Sequence, residues 1–436
     1  MEEDMSDAPP EQISGEDEHA EQKLANEEYK IWKKNSVWLY DMIYSRALEW
    51  PTLSMQWFPD KRKVPGTSLS EHRALLGTHT SGAAQNYLQV ASVEVPDQAK
   101  PNVSNYDEQR GEIGGYGSAK KPFTWNIIQK INHPTEVNKA RYQPQNPEII
   151  ATMSADSKVY IFDRTKHTMN PKSSEFVCEL ELQGHEAEGY GLDWSPLIEG
   201  QLATGAEDNT VRIWDIVGGF TNGSKVIKPL RTYTHHTSIV NDVQHHPIHK
   251  MWIGTVSDDL TVQVIDTRIQ KGKGAVFKTE AHKDAVNCLA FHPLWESILA
   301  TGSADKSVAM WDLRKFDTKL HSLEWHRDAV MKLEWNPMDP AILASGSADK
   351  RILFWDMSKL GDEQDPDEAE DGPPELLFMH GGFTNKICDF NWNKSEPWLI
   401  AAAAEDNQIQ VFRPSRALVQ MPKKKKEKVP NDEVQE

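Results

Sequence analysis

Eight carboxylates crowd into the stretch from Gly361 to Glu375: Asp362, Glu363, Asp365, Asp367, Glu368, Glu370, Asp371 and Glu375. A run of this kind is usually a solvated loop. Here, however, Gly372-Pro373-Pro374 stands inside it and Leu376-Leu377-Phe378 directly follows. The stiff proline pair sets an apolar cluster beside the acids. Carboxylates next to an apolar ledge suit a basic amphipathic helix, whose apolar face fills the groove while its Arg or Lys meets the acids.

A second patch of the same character lies near the other end of the chain. Around Asn26 to Leu48 the apolar residues Leu24, Ile31, Trp32, Trp38, Leu39, Met42 and Ile43 recur at helical intervals, with Glu27, Glu28, Lys30, Lys33 and Lys34 on the other face. The spacing predicts an amphipathic helix over 23–44. Tyr29, Trp32 and Trp38 make its apolar stripe wide, more than packing on a neighbour consumes, and an exposed apolar patch commonly marks a partner site.

What positions these patches is a repeat. Six times a His is followed by an aromatic residue or His, and then by a large apolar residue that usually precedes Asp: His133/Tyr142/Phe162, His185/Trp194/Trp214, His236/His245/Ile265, His282/Phe291/Trp311, His326/Trp335/Trp355 and His380/Trp392/Phe412. An Asp stands six residues before each last member: Asp156, Asp208, Asp259, Asp305, Asp349 and Asp406. Short β-rich runs punctuated by Pro and by Asp-containing turns fill each unit. The Asp suits a strand reversal, where it accepts from nearby backbone amides. Such strict recurrence signals stacked copies of one supersecondary unit.

Gly184-His185 to Trp214-Asp215, and the matching pairs ending at Trp311-Asp312 and Trp355-Asp356, resemble the WD-repeat family, whose unit is a four-stranded propeller blade. The resemblance implies a buried network of His, turn Asp, strand Ser or Thr, and Trp in each blade. Thr52 to Trp57, Arg73 to Thr78, Tyr87 to Val95 and Phe123 to Ile131 have strand composition without the signature and read as an atypical seventh blade, sharing strands with the C-terminal end to close the ring. The expected fold class is therefore all-β: a seven-bladed WD-repeat β-propeller over 45–414, with the acidic loop 361–378 inserted and an N-terminal amphipathic α-helix. Residues 1–22 read as a disordered acidic end and 415–436 as a Lys-rich tail.

Composition narrows the ligand. With 66 acidic against 48 basic residues and a formal charge of −18, the chain favours basic partners over phosphate backbones, so no direct nucleic-acid binding is expected. No apolar run approaches a membrane span, and the acidic N-terminus is unlike a secretory signal, which reads as a soluble intracellular protein without a membrane partner. Cys178, Cys288 and Cys388 have no paired spacing, and no set of His ligands converges, so no metal or cofactor is expected. There is no Gly-flanked nucleophile or phosphate loop, and the reading is non-enzymatic. Lys423 to Lys426 with Lys428 has the composition of a nuclear import signal and equally of a solvated tail.

The segments Asn26 to Asn35, Ala47-Leu48-Glu49-Trp50-Pro51, Lys130-Ile131-Asn132-His133 and Glu370 to Phe378 together resemble the histone-binding WD-repeat proteins, the retinoblastoma-binding or MSI-type subunits of chromatin complexes. That resemblance implies a nuclear protein that binds histones H4 and H3 and joins chromatin assembly, Polycomb methyltransferase, deacetylase or remodelling complexes. It implies a groove for the first helix of histone H4, with Trp38 and Leu39 on one wall, Leu377 and Phe378 on the other, and Glu368 and Asp371 meeting an arginine. It further implies a top-face site for an Arg/Lys-rich segment of H3 or a corepressor, at Glu49, Trp50, His79, Glu136, Asn138, Glu188, Tyr190, Asp258, Asn287, Glu405 and Asn407. Asn241, Ala329 and Met331 stand where relatives carry two Glu and a Phe, which is expected to weaken that second site. A rival reading is a substrate receptor of a cullin-RING ubiquitin ligase, since Trp311-Asp312-Leu313-Arg314 fits the Trp-Asp-x-Arg box of WD-repeat adaptors.

Overall fold

The computed structural model describes residues 15–97, 106–107, 112–113, 124–221, 223–269 and 275–419. The expected disorder of residues 1–14 and most of the Lys-rich tail lie outside them. Seven sheets are arranged in chain order around an axis, and the first strands of successive blades pack against one another. Six blades have four strands. The one that opens at Val137 gains a fifth, Val226–Ile227, which pairs in parallel with Leu180–Leu182.

The stretch without a signature forms a complete blade of its own, from Met55–Lys63, Leu69–Gly77, Asn86–Pro96 and Thr124–His133. Strand sharing occurs elsewhere. Tyr40–Ala47 pairs antiparallel with Gln408–Pro414 and so completes the last blade, tying the two ends of the ring. This corrects the expected helix over 23–44. The helix runs Gly15–Leu39, and Tyr40, Met42 and Ile43 are core residues of a strand, so part of the apolar stripe that looked helical has period two. The helical backbone of 15–22 likewise departs from the disorder expected there.

The His–Asp sets are structural. In the blade ending at Trp311, the Trp311 Nε1–H donates to Thr301 Oγ1 (2.8 Å), Thr301 lies 2.9 Å from His282 Nε2, and His282 Nδ1 donates to Asp305 Oδ2 (3.1 Å). The relay recurs through Trp214, Thr204, His185 and Asp208, and through Trp355, Ser345, His326 and Asp349. Burial alone would raise the Asp208 carboxyl, but hydrogen bonds from His185 and Thr210 outweigh it and hold it far below its ordinary value. After each turn Asp the next residue is left-handed: Ser157, Asn209, Leu260, Lys306, Lys350 and Asn407 all have φ between 60° and 73°. This conformation lets the carboxylate reach the amides across the reversal.

Two sets break the rule. Asp156 accepts instead from Tyr160 Oη (2.6 Å), leaving His133 to bond the Thr135 carbonyl. His380, with three extra residues after it, belongs to the outer strand Leu376–His380 of the preceding blade and stacks on Phe412 at 3.9 Å between centroids.

Candidate functional site

The N-terminal helix turns Ala25, Trp32, Ser36 and Val37 inward, a spacing of seven, four and one that follows one face. Trp32 is the anchor. Its indole Nε1–H donates to Tyr40 Oη (3.0 Å), its ring meets His380 edge-on at 5.7 Å, and a Cβ at Gly382 would lie 2.6 Å from it, so only glycine leaves room there. On the other flank Glu28 pairs with Arg351 (3.2 Å) and approaches Arg327 (3.7 Å). The helix is thus fixed along the outer strand Leu376–His380.

Because the inward face is taken, a second apolar line is left over. Leu24, Ile31 and Trp38 lie seven residues apart and are 60%, 62% and 66% exposed. Two helical turns separate each from the next, so they form one stripe. Leu39 and Leu377 are both half-buried against the core cluster that holds Tyr40, Phe354 and Phe412. Leu418 and Val419, on a short helix Arg416–Val419, pack on the same cluster; Ser415 N–H donates to the Leu39 carbonyl (2.9 Å), which brings that helix to the end of the first.

The acidic loop is anchored at its base. Glu375, one of the eight acids, is buried at 5% exposure and bonds His321 Nε2 (3.1 Å), while its carbonyl accepts from Asp356 N–H (2.7 Å). Gly372 has φ 130°, and a Cβ there would strike Leu376 at 2.6 Å, so glycine is required at the bend. Beyond this base Asp362, Glu363, Asp365, Asp367, Glu370 and Asp371 are exposed. The Glu368 side chain lies outside the described residues. Phe378 departs from its expected place on an open wall: at 7% exposure it packs on Tyr40 (5.6 Å) and Phe354, because its register opposite Phe354 turns it into the core. Its neighbour Met379 is the exposed one. Leu24 belongs to the apolar stripe expected from the sequence, whereas Met379, Leu418 and Val419 were not singled out, although strand alternation carries the first of these.

At one end of the ring axis lies a cavity of about 440 Å³, lined by Asn138, Tyr190, Asn287 and Glu405 together with Asn241 and Met331. Three of its amides are held alike. Asn138, Asn241 and Asn287 each donate from Nδ2 to a carbonyl of the next blade, Gly189, Val286 and Val330 (3.3, 3.0 and 3.0 Å), which leaves Oδ1 as the acceptor. Glu188 and Asp258 join through Asn138 (2.9 Å) and Asn241 (2.7 Å). Glu49 and Trp50 line a separate, smaller pocket, where Glu49 faces Lys130 at 3.6 Å. Glu136 accepts from Gly82 N–H (3.0 Å), His79 N–H donates to the Pro51 carbonyl (3.0 Å), and Asn407 accepts from Leu48 N–H (2.8 Å). None of these last three lines the cavity.

The Trp311-Asp312-Leu313-Arg314 box has a local explanation. Arg314 Nε donates to Asp312 (2.9 Å), and Arg268 does the same to Asp266 (2.9 Å) after the preceding blade, so strand-end turn chemistry accounts for both. The cullin-adaptor reading falls away.

A closed ring of seven blades, with an N-terminal helix packed on the outer strand Leu376–His380, defines a WD-repeat propeller. Comparison with known proteins agrees: the WD domain, G-beta repeat model matches residues 176–215, 227–266, 274–312 and 317–356, and the family model for the histone-binding protein RBBP4 and its counterpart in the CAF1 complex matches 27–97. The chain is 55% identical over 420 residues to histone acetyltransferase type B subunit 2 of Aspergillus oryzae and 56% identical to that of Aspergillus fumigatus, covering 95% of each chain in both cases. Its identity to the Neurospora crassa protein of the same name is 55%, over 92% of this chain and 91% of the relative. The chain belongs to the family of histone-binding WD-repeat proteins.

Proposed function

We propose that the chain is a histone-binding chaperone and adaptor subunit of chromatin complexes, gripping the first helix of histone H4 in the side cleft. The observation that carries this reading is the apolar line Leu24, Ile31 and Trp38, exposed on a helix whose part from Glu27 onward falls in the H4-binding family segment and which packs on the strand that the exposed acidic loop leads into. Leu39 and Leu377 supply the floor, and Asp371 and Glu368 take an arginine of the incoming helix. That H4 helix is packed within the histone fold, so binding requires its local opening, which the cleft contacts offset. The role is one of binding and presentation rather than catalysis. The relatives' name favours a type B histone acetyltransferase complex; assembly, Polycomb, deacetylase and remodelling complexes are further settings, all within the nucleus.

The cavity at the channel end takes an Arg/Lys-rich segment of H3 or a corepressor. Its Asn acceptors and Glu405 suit a cation, yet Asn241, Ala329 and Met331 offer neither a buried carboxylate nor a stacking ring, and Lys139 and Lys332 stand in its floor. Cross-linking of the full chain to recombinant H3–H4 tests the main reading: cross-links from Lys33 or Lys34 to the first H4 helix are expected, and contacts confined to H3 would overturn it. Titration of the two histone peptides is expected to rank H4 above H3. An H3 affinity matching that of a relative with Glu and Phe at 241 and 331 would reverse that ranking.

A further inference from the structure

The acidic loop grows out of the sixth blade, which opens at Val330, yet part of what holds it comes from the fifth. Its two ends are fixed by packing. Leu360 and Leu376 are half-buried against a core cluster that includes Leu323, on the fifth blade's outer strand His321–Glu324. Residues two apart on a strand share a face, so His321 points the same way as Leu323 and reaches the loop itself. Its Nε2 donates to Glu375 Oε1 at 3.1 Å.

Glu375 differs from the rest of its run. Among the described residues it is the one acid of the loop with an ion-pair partner, and His321 is the one side chain that meets its carboxylate. The Glu375 side chain is 6% exposed. A buried carboxylate with no donor is costly, the more so among like charges, and without His321 it would turn out to water.

The turn between Glu375 and Asp371 transmits that choice. Pro373 and Pro374 have fixed φ, Leu376 N–H closes the turn on the Pro373 carbonyl (2.9 Å), and Gln364 Nε2 donates to the Gly372 carbonyl (3.0 Å). Gly372 is buried with Trp325 on its flank, since a Cβ there would lie 3.5 Å from the Trp325 ring. Trp325 directly follows the strand that carries His321. One strand of the fifth blade and its next residue thus meet the loop on both sides of the proline pair, and Asp371 comes immediately before.

We infer that His321 is a positioning residue for histone binding: by holding Glu375 it sets the proline turn, and with it Asp371, for an arginine of the incoming H4 helix, while Trp325 backs the turn at Gly372. The inference rests on the H4 reading of the cleft and adds to it a residue from a blade that carries neither wall. His321 acts through Glu375 and not by contact with the guest.

A double-mutant cycle separates this role from general support of the fold. Calorimetric titration of an H4 first-helix peptide compares the full chain with His321→Ala, Asp371→Ala and the double variant. His321→Ala should bind at least about fivefold more weakly, the double variant within about twofold of Asp371→Ala alone, and His321→Gln, which keeps a donor, within about twofold of the parent. Unchanged affinity in His321→Ala, or losses that multiply in the double variant, overturns the inference. Hydrogen exchange gives a readout independent of the histone: residues 361–376 should exchange at least about fivefold faster in His321→Ala, with the blades unchanged. A loop that exchanges as in the parent, or faster exchange spread through the blades, overturns the inference as well. A parent that binds no H4 peptide overturns the cleft reading instead, and loop exchange then decides whether His321 holds the loop.

Discussion

The Tyr40 hydroxyl and Nδ1 of His380 are hydrogen-bonded at 2.6 Å, joining the first strand of the ring to the outer strand of the sixth blade. Trp32 donates to the same oxygen, so one hydroxyl couples the N-terminal helix, the ring closure and the strand that follows the acidic loop. Burial keeps His380 neutral, its pKa lowered to about 3.

Tyr40→Phe keeps the ring contacts with Phe378 and Phe412 but strands the Trp32 indole and His380. A loss of about 2 kcal/mol is expected in chemical denaturation. Binding of the H4 first helix should weaken alongside, since the helix loses its anchor; unchanged stability would remove Tyr40 from this role.

The relay Trp311, Thr301, His282, Asp305 makes a sharper case for buried polar satisfaction. Thr301→Val preserves shape and leaves two buried donors or acceptors without a partner. The expected cost is about 2–4 kcal/mol, well above that of an isosteric apolar swap, and a thermal melt indistinguishable from the parent would contradict it.

Acid should act first through histidine. Burial lowers His72 and His133 to about 4, and His235 likewise. Their folded pKa values lie below the unfolded value near 6.5, so the stability they contribute is full above that pH and is lost as pH falls toward 4. Glu334, raised to about 7, works in the opposite direction but is outnumbered. Asp305, held near about 2, matters only below the ordinary carboxylate range. The melting temperature should therefore drop by about 5 °C from pH 7.5 to pH 5, and a flat profile would show these histidines exposed.

Much of this architecture was legible because the repeat encodes it in side chains with fixed partners: His282, Thr301, Asp305 and Trp311 announce a blade by their spacing. The boundary at Leu39/Tyr40 was not. Met42 and Ile43 fit a helical stripe as well as a strand edge, and only pairing with Phe412 and Arg413, some 370 residues away, decides between them. Phe378 was misplaced for a similar reason, since its inward turn depends on register with Phe354 across an insertion. Glu375 looked like its seven acidic neighbours until His321, on a neighbouring blade, supplied its partner.

The side cleft is tested most directly by calorimetric titration of an H4 first-helix peptide into the full chain and into Asp371→Arg. Asp371 is exposed and outside the blades, so the variant should melt within about 2 °C of the parent while its H4 affinity is abolished. Equal affinity in the two proteins would contradict the cleft.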